Sequence, residues 1–346
     1  MLSSPETSDG LLAVGAFVCA GGLSLVLVPV AARVAARTGF LDRPADYKQH
    51  GSPTPYLGGV AVLVAFTLAA AIFGGAFGPL LWVTLPALGL MVLGAVDDRV
   101  GLGPGIRFVA HVGAALILWA DGIRWEVTGV VPLDLAITVV WVVGLANAFN
   151  LLDNIDGSTG TVAGVSAAGI GVLALINDAG VVAGFCFALT GACLGFLRFN
   201  LARPSRIFLG DAGSVPIGFL LAAMAMIVPV GVGSGESLLA VVPFVGVAIF
   251  DTALVVVSRI RLGKPVLSGG RDHFTHRMLL LFGSPQAVAL VLVLLQGSLC
   301  LLAIMLEQSP SSVIDAVAAL YVVGAIVALA LIERAPVFRP ALETPN

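Results

Sequence analysis

Residues 135–157 read LAITVVWVVGLANAFNLLDNIDG: an apolar run from Leu135 to Ala146, then Asn147, Asn150, Asp153, Asn154 and Asp156 in quick succession before Gly157. A run of this kind has the length and character of the final turns of a membrane-crossing helix. Its polar end then needs a reason to be there, because carboxylates and carboxamides gain nothing from hydrocarbon.

The rest of the chain repeats the apolar half of that pattern. Of 346 residues, 59% are hydrophobic and 11% charged, and the mean hydropathy is +1.07. This is the composition of a polytopic membrane protein. A helix needs about 20 apolar residues to cross the hydrocarbon core, and eleven stretches of roughly that length recur. They lie at 12–31, 57–75, 79–96, 105–120, 132–149, 160–177, 180–197, 213–230, 237–257, 285–304 and 312–332. The expected fold is all-α, with about eleven transmembrane helices in one domain spanning 1–346. The first stretch has neither a basic region before it nor a small-residue cleavage site after it, so it reads as a retained span.

Charge sets the expected orientation. With the N-terminus outside, the inside loops and tail hold Arg33, Arg37, Arg43, Lys48, Arg99, Arg107, Arg198, Arg203, Arg206, Arg259, Arg261, Lys264, Arg271, Arg277, Arg334 and Arg339. That is 16 of the 17 basic residues, with Arg124 alone outside. The positive-inside rule therefore predicts an outer N-terminus and a cytoplasmic C-terminus. Removing one span from the middle would destroy the agreement.

The same arrangement sorts the polar clusters. Asp97 and Asp98 close the third stretch, Asn147 to Asp156 close the fifth, Asp211 opens the eighth, and His273 and His276 lie in the largest inside loop. A transporter would place ionisable residues near the bilayer midplane; here they collect at one face. Adjacent carboxylates are oxygen ligands suited to Mg²⁺ or Mn²⁺, although an isolated pair at a span end is equally readable as solvated. Asn147, Asn150, Asp153 and Asp156 recur every third residue, drifting roughly 60° per step on a helix, so the first three share a broad face. Their carboxamides could bond a base or sugar and their carboxylates face a cation. The stretch RFNLARPSRIFLGDAGS, 198–214, adds arginines, Asn200, Phe208 and Asp211 before a helix N-terminus, which favours phosphate. GGRDHFTHR, 269–277, places two histidines between Arg271 and Arg277, a set better suited to an anion than to a metal. Asp251, inside the ninth stretch, is either functional or a helix-packing hydrogen bond, and His111 reads as an interhelical polar contact. The four cysteines, Cys19, Cys186, Cys193 and Cys300, have no ligand spacing and read as packed core.

DYKQHGSPTPYLGG, VDDRVGL, NAFNLLDNIDG, IFLGDAGS and GRDHFTHR, in this order over 42–277, resemble the motifs of the polyprenyl-phosphate N-acetylhexosamine-1-phosphate transferase superfamily. Within it the chain is most similar to the undecaprenyl-phosphate GlcNAc-1-phosphate branch, to which the Phe-Asp-Thr of 250–252 also points. The resemblance implies a reaction in which a polyprenyl phosphate attacks the β-phosphate of a UDP-N-acetylhexosamine and releases UMP, with Mg²⁺ required. It implies catalytic roles for Asp97, Asp98, His273 and His276, and metal binding by Asp211 and Asp98. It implies substrate contacts from Lys48, Asn147, Asn150, Asp153, Asp156, Asn200, Phe208, Arg271 and Arg277, with Phe208 stacking on uracil. The implied partners are the UDP-sugar, the polyprenyl phosphate and the lipid bilayer, without nucleic acid and compatible with a homodimer. The implied location is a bacterial-type plasma membrane, with the site on the cytoplasmic face.

The pattern departs in two places. Thr275 stands where many relatives have a histidine, and Tyr56 where an arginine often follows Pro-Thr-Pro. The missing histidine triplet argues against the phospho-MurNAc-pentapeptide branch. A CDP-alcohol phosphotransferase would need Asp-Gly-x-x-Ala-Arg, whereas Ser-Thr-Gly-Thr follows Asp156-Gly157. A non-enzymatic carrier transporter would share the spans but need no metal-binding aspartates.

Overall fold

The computed structural model describes residues 5–42, 54–73, 77–230, 234–266, 270–307 and 309–335. Over these the chain is built almost wholly of helices; ten of the eleven apolar stretches fall mainly on a single helix, and the ninth is shared between two. In order they are α1 (Pro5–Thr38), α2 (Gly58–Phe73), α3 (Leu81–Val100), α4 (Pro104–Ala120), α5 (Val131–Leu152), α6 (Ser158–Ile176), α7 (Gly180–Asn200), α8 (Asp211–Ile227), α9 (Ser234–Val241), α10 (Gly246–Arg261), α11 (Phe274–Phe282), α12 (Pro285–Leu306) and α13 (Ser311–Arg334). Among the described residues eight segments are long and apolar enough to cross a membrane, and α2, α4 and α8 are shorter apolar helices. The chain is an all-α, multi-pass membrane protein.

Three details depart from the even reading of the sequence. The ninth stretch is broken: α9 passes into a 3₁₀ turn over Val242–Val245 before α10, where Pro243 has no N–H for the ladder and Gln296 of α12 donates to the freed Pro243 and Phe244 carbonyls at 3.0 and 2.9 Å. The 269–277 region ends in the extra nine-residue helix α11. Finally, β1 (Leu41–Asp42) and β2 (Thr54–Pro55) form a short antiparallel ribbon.

Local chemistry sets the helix ends. Gly101 takes a left-handed conformation with φ 67° and returns its N–H to the Asp97 carbonyl, stopping α3. Pro104 then starts α4 at a position where no N–H is needed. Ser284 caps α12 by accepting the Ala287 N–H, with Pro285 following it.

Helix α8 is central. It packs between α3 and α5 and also meets α2, while α1 runs along α7 and α7 along α6. Lipid tails are as apolar as leucine, so close packing rather than hydrophobic transfer holds such a bundle together. Phe66 and Phe185 meet edge to face at 4.7 Å and 89°, a pair contributing about 0.5–1.5 kcal/mol beyond its buried area. At Gly94 a side chain would strike the backbone of Asp211. That glycine lets α3 carry Asp97 and Asp98 against the start of α8. By contrast α13 flanks the bundle: Ile314 is its one fully buried residue, and the Glu333 side chain is tucked inward at its end.

Candidate active site

The carboxylates of α3 have different partners. Asp97 Oδ1 accepts the Leu102 N–H at 2.5 Å, and Oδ2 accepts from Arg107 at 3.1 Å. Asp98 turns toward α8, where Oδ1 and Oδ2 accept the N–H groups of Asp211 and Ala212 at 2.9 and 3.2 Å. These are donors that a helix N-terminus cannot satisfy from within the helix. Gly210 leads into that terminus at φ 71°, and a Cβ there would lie 2.6 Å from Asp98 Oδ2. Only a residue without a side chain fits both the conformation and the space.

Asp211 connects three helices. Its Oδ1 accepts from Asn150 Nδ2 at 2.6 Å, and its Oδ2 lies 3.6 Å from the Arg107 guanidinium. Arg107, in the first turn of α4, thus bridges Asp97 and Asp211. Asn150 also donates to Ser214 at 3.2 Å. Asp153 caps α5, and burial followed by the negative charges of Asp211 and Asp98 pushes its carboxyl well above the ordinary carboxylate range. Asn147 donates to the Val143 carbonyl and meets His111 at 3.3 Å, joining α5 to α4.

The other polar residues of the 147–157 stretch tie down neighbouring segments. Asn200 is buried, with Oδ1 accepting the Gly157 N–H at 2.6 Å and Nδ2 donating to the Ile207 carbonyl at 2.9 Å and toward Asp156 at 3.5 Å. It braces the 153–157 turn against the 200–210 segment. Phe208 is half-buried, 6.0 Å from Tyr56 in an edge arrangement; its N–H donates to the Pro55 carbonyl at 2.8 Å and its carbonyl accepts the Gly58 N–H at 3.1 Å. Burial, then the charges of Asp42, Asp98 and Asp153, push the Tyr56 phenol upward and keep it neutral. Tyr56 therefore brings the ribbon segment to the carboxylates. Lys48 lies outside the described residues.

The 270–277 segment divides in two. Arg259 and Asp272 form a buried bidentate pair at 2.7 and 3.1 Å. Burial alone would raise the Asp272 carboxyl, but the guanidinium holds it below the ordinary range. Arg277 is fully buried and donates to Ser258, the Asp272 carbonyl and Glu333. Its contacts anchor α11 to α10 and α13. His273 and His276 lie with ring centroids 5.7 Å apart. His273 Nδ1 is 2.9 Å from Asp251, while His276 Nδ1 is buried with no hydrogen-bond partner among the described residues. Burial and the neighbouring His273 push His276 down to about 4. Thr275 Oγ1 donates to Asn154 Oδ1 at 2.5 Å, which ties the histidine segment to the end of α5. Arg271 is half-exposed at the start of this segment.

Asp97, Asp98, Asn150, Asp153 and Asp211 therefore converge at one end of the bundle, with Arg107 among them. His273 and His276 reach this group through the Thr275–Asn154 link, while Asn200 and Arg277 are used within the protein. Arg107, Ser214 and Asn154 carry contacts that the motif reading did not assign. Arg107 was findable: it lies ten residues past Asp97 across a Gly-Pro helix restart, at the same membrane face.

The donor set fits a hard cation. Among the described residues no three His, Cys, Asp or Glu side chains form a ready cage. Mg²⁺ does not require one, since it is usually held by one or two carboxylates with water and substrate phosphates. Asp211 Oδ2 is the less committed oxygen of that carboxylate, whereas both oxygens of Asp98 already accept backbone N–H groups.

The model of the family described as glycosyl transferase family 4 matches residues 80–229, which contain Asp97, Asp98, Asn150, Asp153 and Asp211. A decaprenyl-phosphate N-acetylglucosaminephosphotransferase of Mycolicibacterium smegmatis is 31% identical over 303 residues, 76% of this chain and 74% of that protein. A probable undecaprenyl-phosphate N-acetylglucosaminyl 1-phosphate transferase of Bacillus subtilis is 28% identical over 288 residues, 79% and 78% of the two chains. The undecaprenyl-phosphate alpha-N-acetylglucosaminyl 1-phosphate transferase of Escherichia coli K12 is 28% identical over 287 residues, 78% and 77%.

Proposed function

The chain belongs to glycosyl transferase family 4, and we propose that it transfers N-acetylglucosamine-1-phosphate from a UDP-sugar to a polyprenyl phosphate, releasing UMP. The observation that carries this reading is the convergence of Asp97, Arg107, Asn150 and Asp211 from four helices at one end of the bundle. The names of its bacterial relatives point to the same donor sugar and lipid class.

In this reaction an oxygen of the lipid phosphate bonds to the β-phosphorus of the UDP-sugar. The bond from that phosphorus to the bridging oxygen breaks, and the electron pair leaves with UMP. A phosphate monoester is already largely ionised near neutrality, so the residues act mainly by positioning and by balancing charge. Arg107 holds Asp97 and Asp211 at a fixed separation. Asn150 orients Asp211 and leaves its Oδ2 turned toward Arg107. Asp153 and the Tyr56–Phe208 pair border the same group and supply the nucleotide side, while His273 and His276 bring ring nitrogens to the diphosphate and sugar. Asp211 would hold Mg²⁺, whose bound charge would neutralise the diphosphate.

We place the site on the cytoplasmic face of a plasma membrane, with eleven spans and an outer N-terminus, because the basic residues divide 16 to one across that topology. There a soluble nucleotide sugar meets a lipid that cannot leave the bilayer. The test is UMP release by the full chain in detergent from UDP-GlcNAc, with and without undecaprenyl phosphate, in Mg²⁺ and in EDTA. Release that needs both lipid and metal supports the reading. Release without lipid, or none with any UDP-N-acetyl sugar, overturns it.

A further inference from the structure

Asp251 is the most deeply placed carboxylate with a partner in the histidine segment. It lies on α10 with no solvent exposure. A carboxylate buried in a membrane helix is expensive and is retained where its partners repay the cost. Both of its oxygens are engaged: Oδ2 with His273 Nδ1 at 2.9 Å, and Oδ1 with the Phe274 N–H at 2.6 Å.

The two bonds act on one object. Phe274 opens α11 and His273 is its N-cap, so Asp251 satisfies a donor that the helix leaves open and places negative charge at its positive end. An ionised carboxylate only accepts, so His273 Nδ1 carries the proton it donates. Nε2 is then the ring nitrogen left for any other group. One carboxylate fixes both the start of α11 and the tautomer of its first histidine. Thr275, two residues on, ties the same turn to Asn154 beside Asp153.

We propose that Asp251 is a positioning residue for the transfer reaction, holding His273 so that Nε2 is presented to the substrate diphosphate. This rests on the transferase reading above. Asp251 touches no substrate, and its effect passes entirely through His273 and the first turn of α11.

The test is a double-mutant cycle on the full-length protein in detergent, using Asp251→Ala, Asp251→Asn, His273→Ala and the two doubles. UMP release from UDP-GlcNAc and undecaprenyl phosphate is measured alongside the thermal midpoint. Loss of ring placement costs on the order of 10²-fold in kcat, so Asp251→Ala and His273→Ala should each lose about that much with the KM for UDP-GlcNAc nearly unchanged. The double should be no slower than His273→Ala. Asp251→Asn should keep an intermediate kcat, because its amide oxygen still accepts the Nδ1 proton. Multiplying losses in the double, or an Asp251 defect confined to KM, would overturn the proposal. If Asp251→Ala does not stay folded, the cycle run with Asp251→Asn decides in the same way. A wild-type protein that releases no UMP would fell the transferase reading and this inference with it; an active wild type with an additive cycle fells the inference alone.

Discussion

Asp98 caps a helix to which it does not belong: its two carboxylate oxygens accept the N–H groups of Asp211 and Ala212, 113 and 114 residues away. The neighbouring aspartates therefore fail differently when altered. Asp98→Asn leaves one accepting oxygen where two are used, and hydrogen bonds to charged groups contribute about 1.5–3 kcal/mol. It should lower the thermal midpoint as well as turnover. Asp211→Asn still accepts from Asn150, so it should abolish turnover with the midpoint nearly unchanged. Melting curves beside UMP release separate the two, and matching melting losses would contradict the capping role.

Arg107 stands between Asp97 and Asp211. Arg107→Gln leaves those carboxylates without their shared cation, and kcat should fall on the order of 10²-fold through misplacement of reacting groups. Arg107→Lys should recover only part of that loss, since a point charge cannot hold the planar geometry of a guanidinium. Steady-state kinetics on both variants would check the order, and equal activities would remove the geometric role.

His276 gives the fold an acid sensitivity. Its folded value, about 4, lies below the ordinary 6.5, so the unfolded chain takes up the proton first. Stability is complete above about pH 6.5 and falls as the pH drops toward about 4. His276→Gln should flatten that part of the profile. Thermal midpoints at pH 7.5 and 5 for both proteins would show it, and parallel slopes would place the acid sensitivity elsewhere.

Arg277 should behave as part of the framework. Arg277→Ala leaves Glu333 buried with one guanidinium fewer, and breaking a buried pair costs about 3–5 kcal/mol. The expected outcome is a large drop in midpoint with the KM for the nucleotide sugar unchanged in the surviving folded protein. A raised KM at unchanged stability would return Arg277 to the substrate.

Much of this architecture was visible in the residue order. The apolar stretches became helices, the ninth in two pieces, because about 20 mostly apolar residues have few other structures open to them in a bilayer. The carboxylates of Asp97, Asp98, Asp153 and Asp211 came together because their helices end at one face. What stayed hidden was which polar side chains the protein uses for itself. Asn200 and Arg277 sit in motifs of the right kind, yet their bonds go to Gly157, Ile207, Ser258 and Glu333, at separations no local pattern encodes. The Asp251–His273 pair spans 22 residues and depends on where α11 begins, and that helix has too few residues to announce itself. Nor did Pro243 mark the break by itself, since Pro86 and Pro216 lie inside unbroken helices; the Gln296 side chain that meets the freed carbonyls comes from about 50 residues on.

The thin attachment of α13 makes its length, more than its composition, the sensitive quantity. Most of its side chains face outward, where one aliphatic residue replaces another at little cost, but its last turn delivers Glu333 to Arg277 and Arg261. Since an α-helix advances about 100° per residue, a single insertion or deletion anywhere between Ile314 and Glu333 would swing that carboxylate away from both guanidiniums. Lineages of this protein should therefore tolerate drift in the letters of α13 while keeping its residue count in phase.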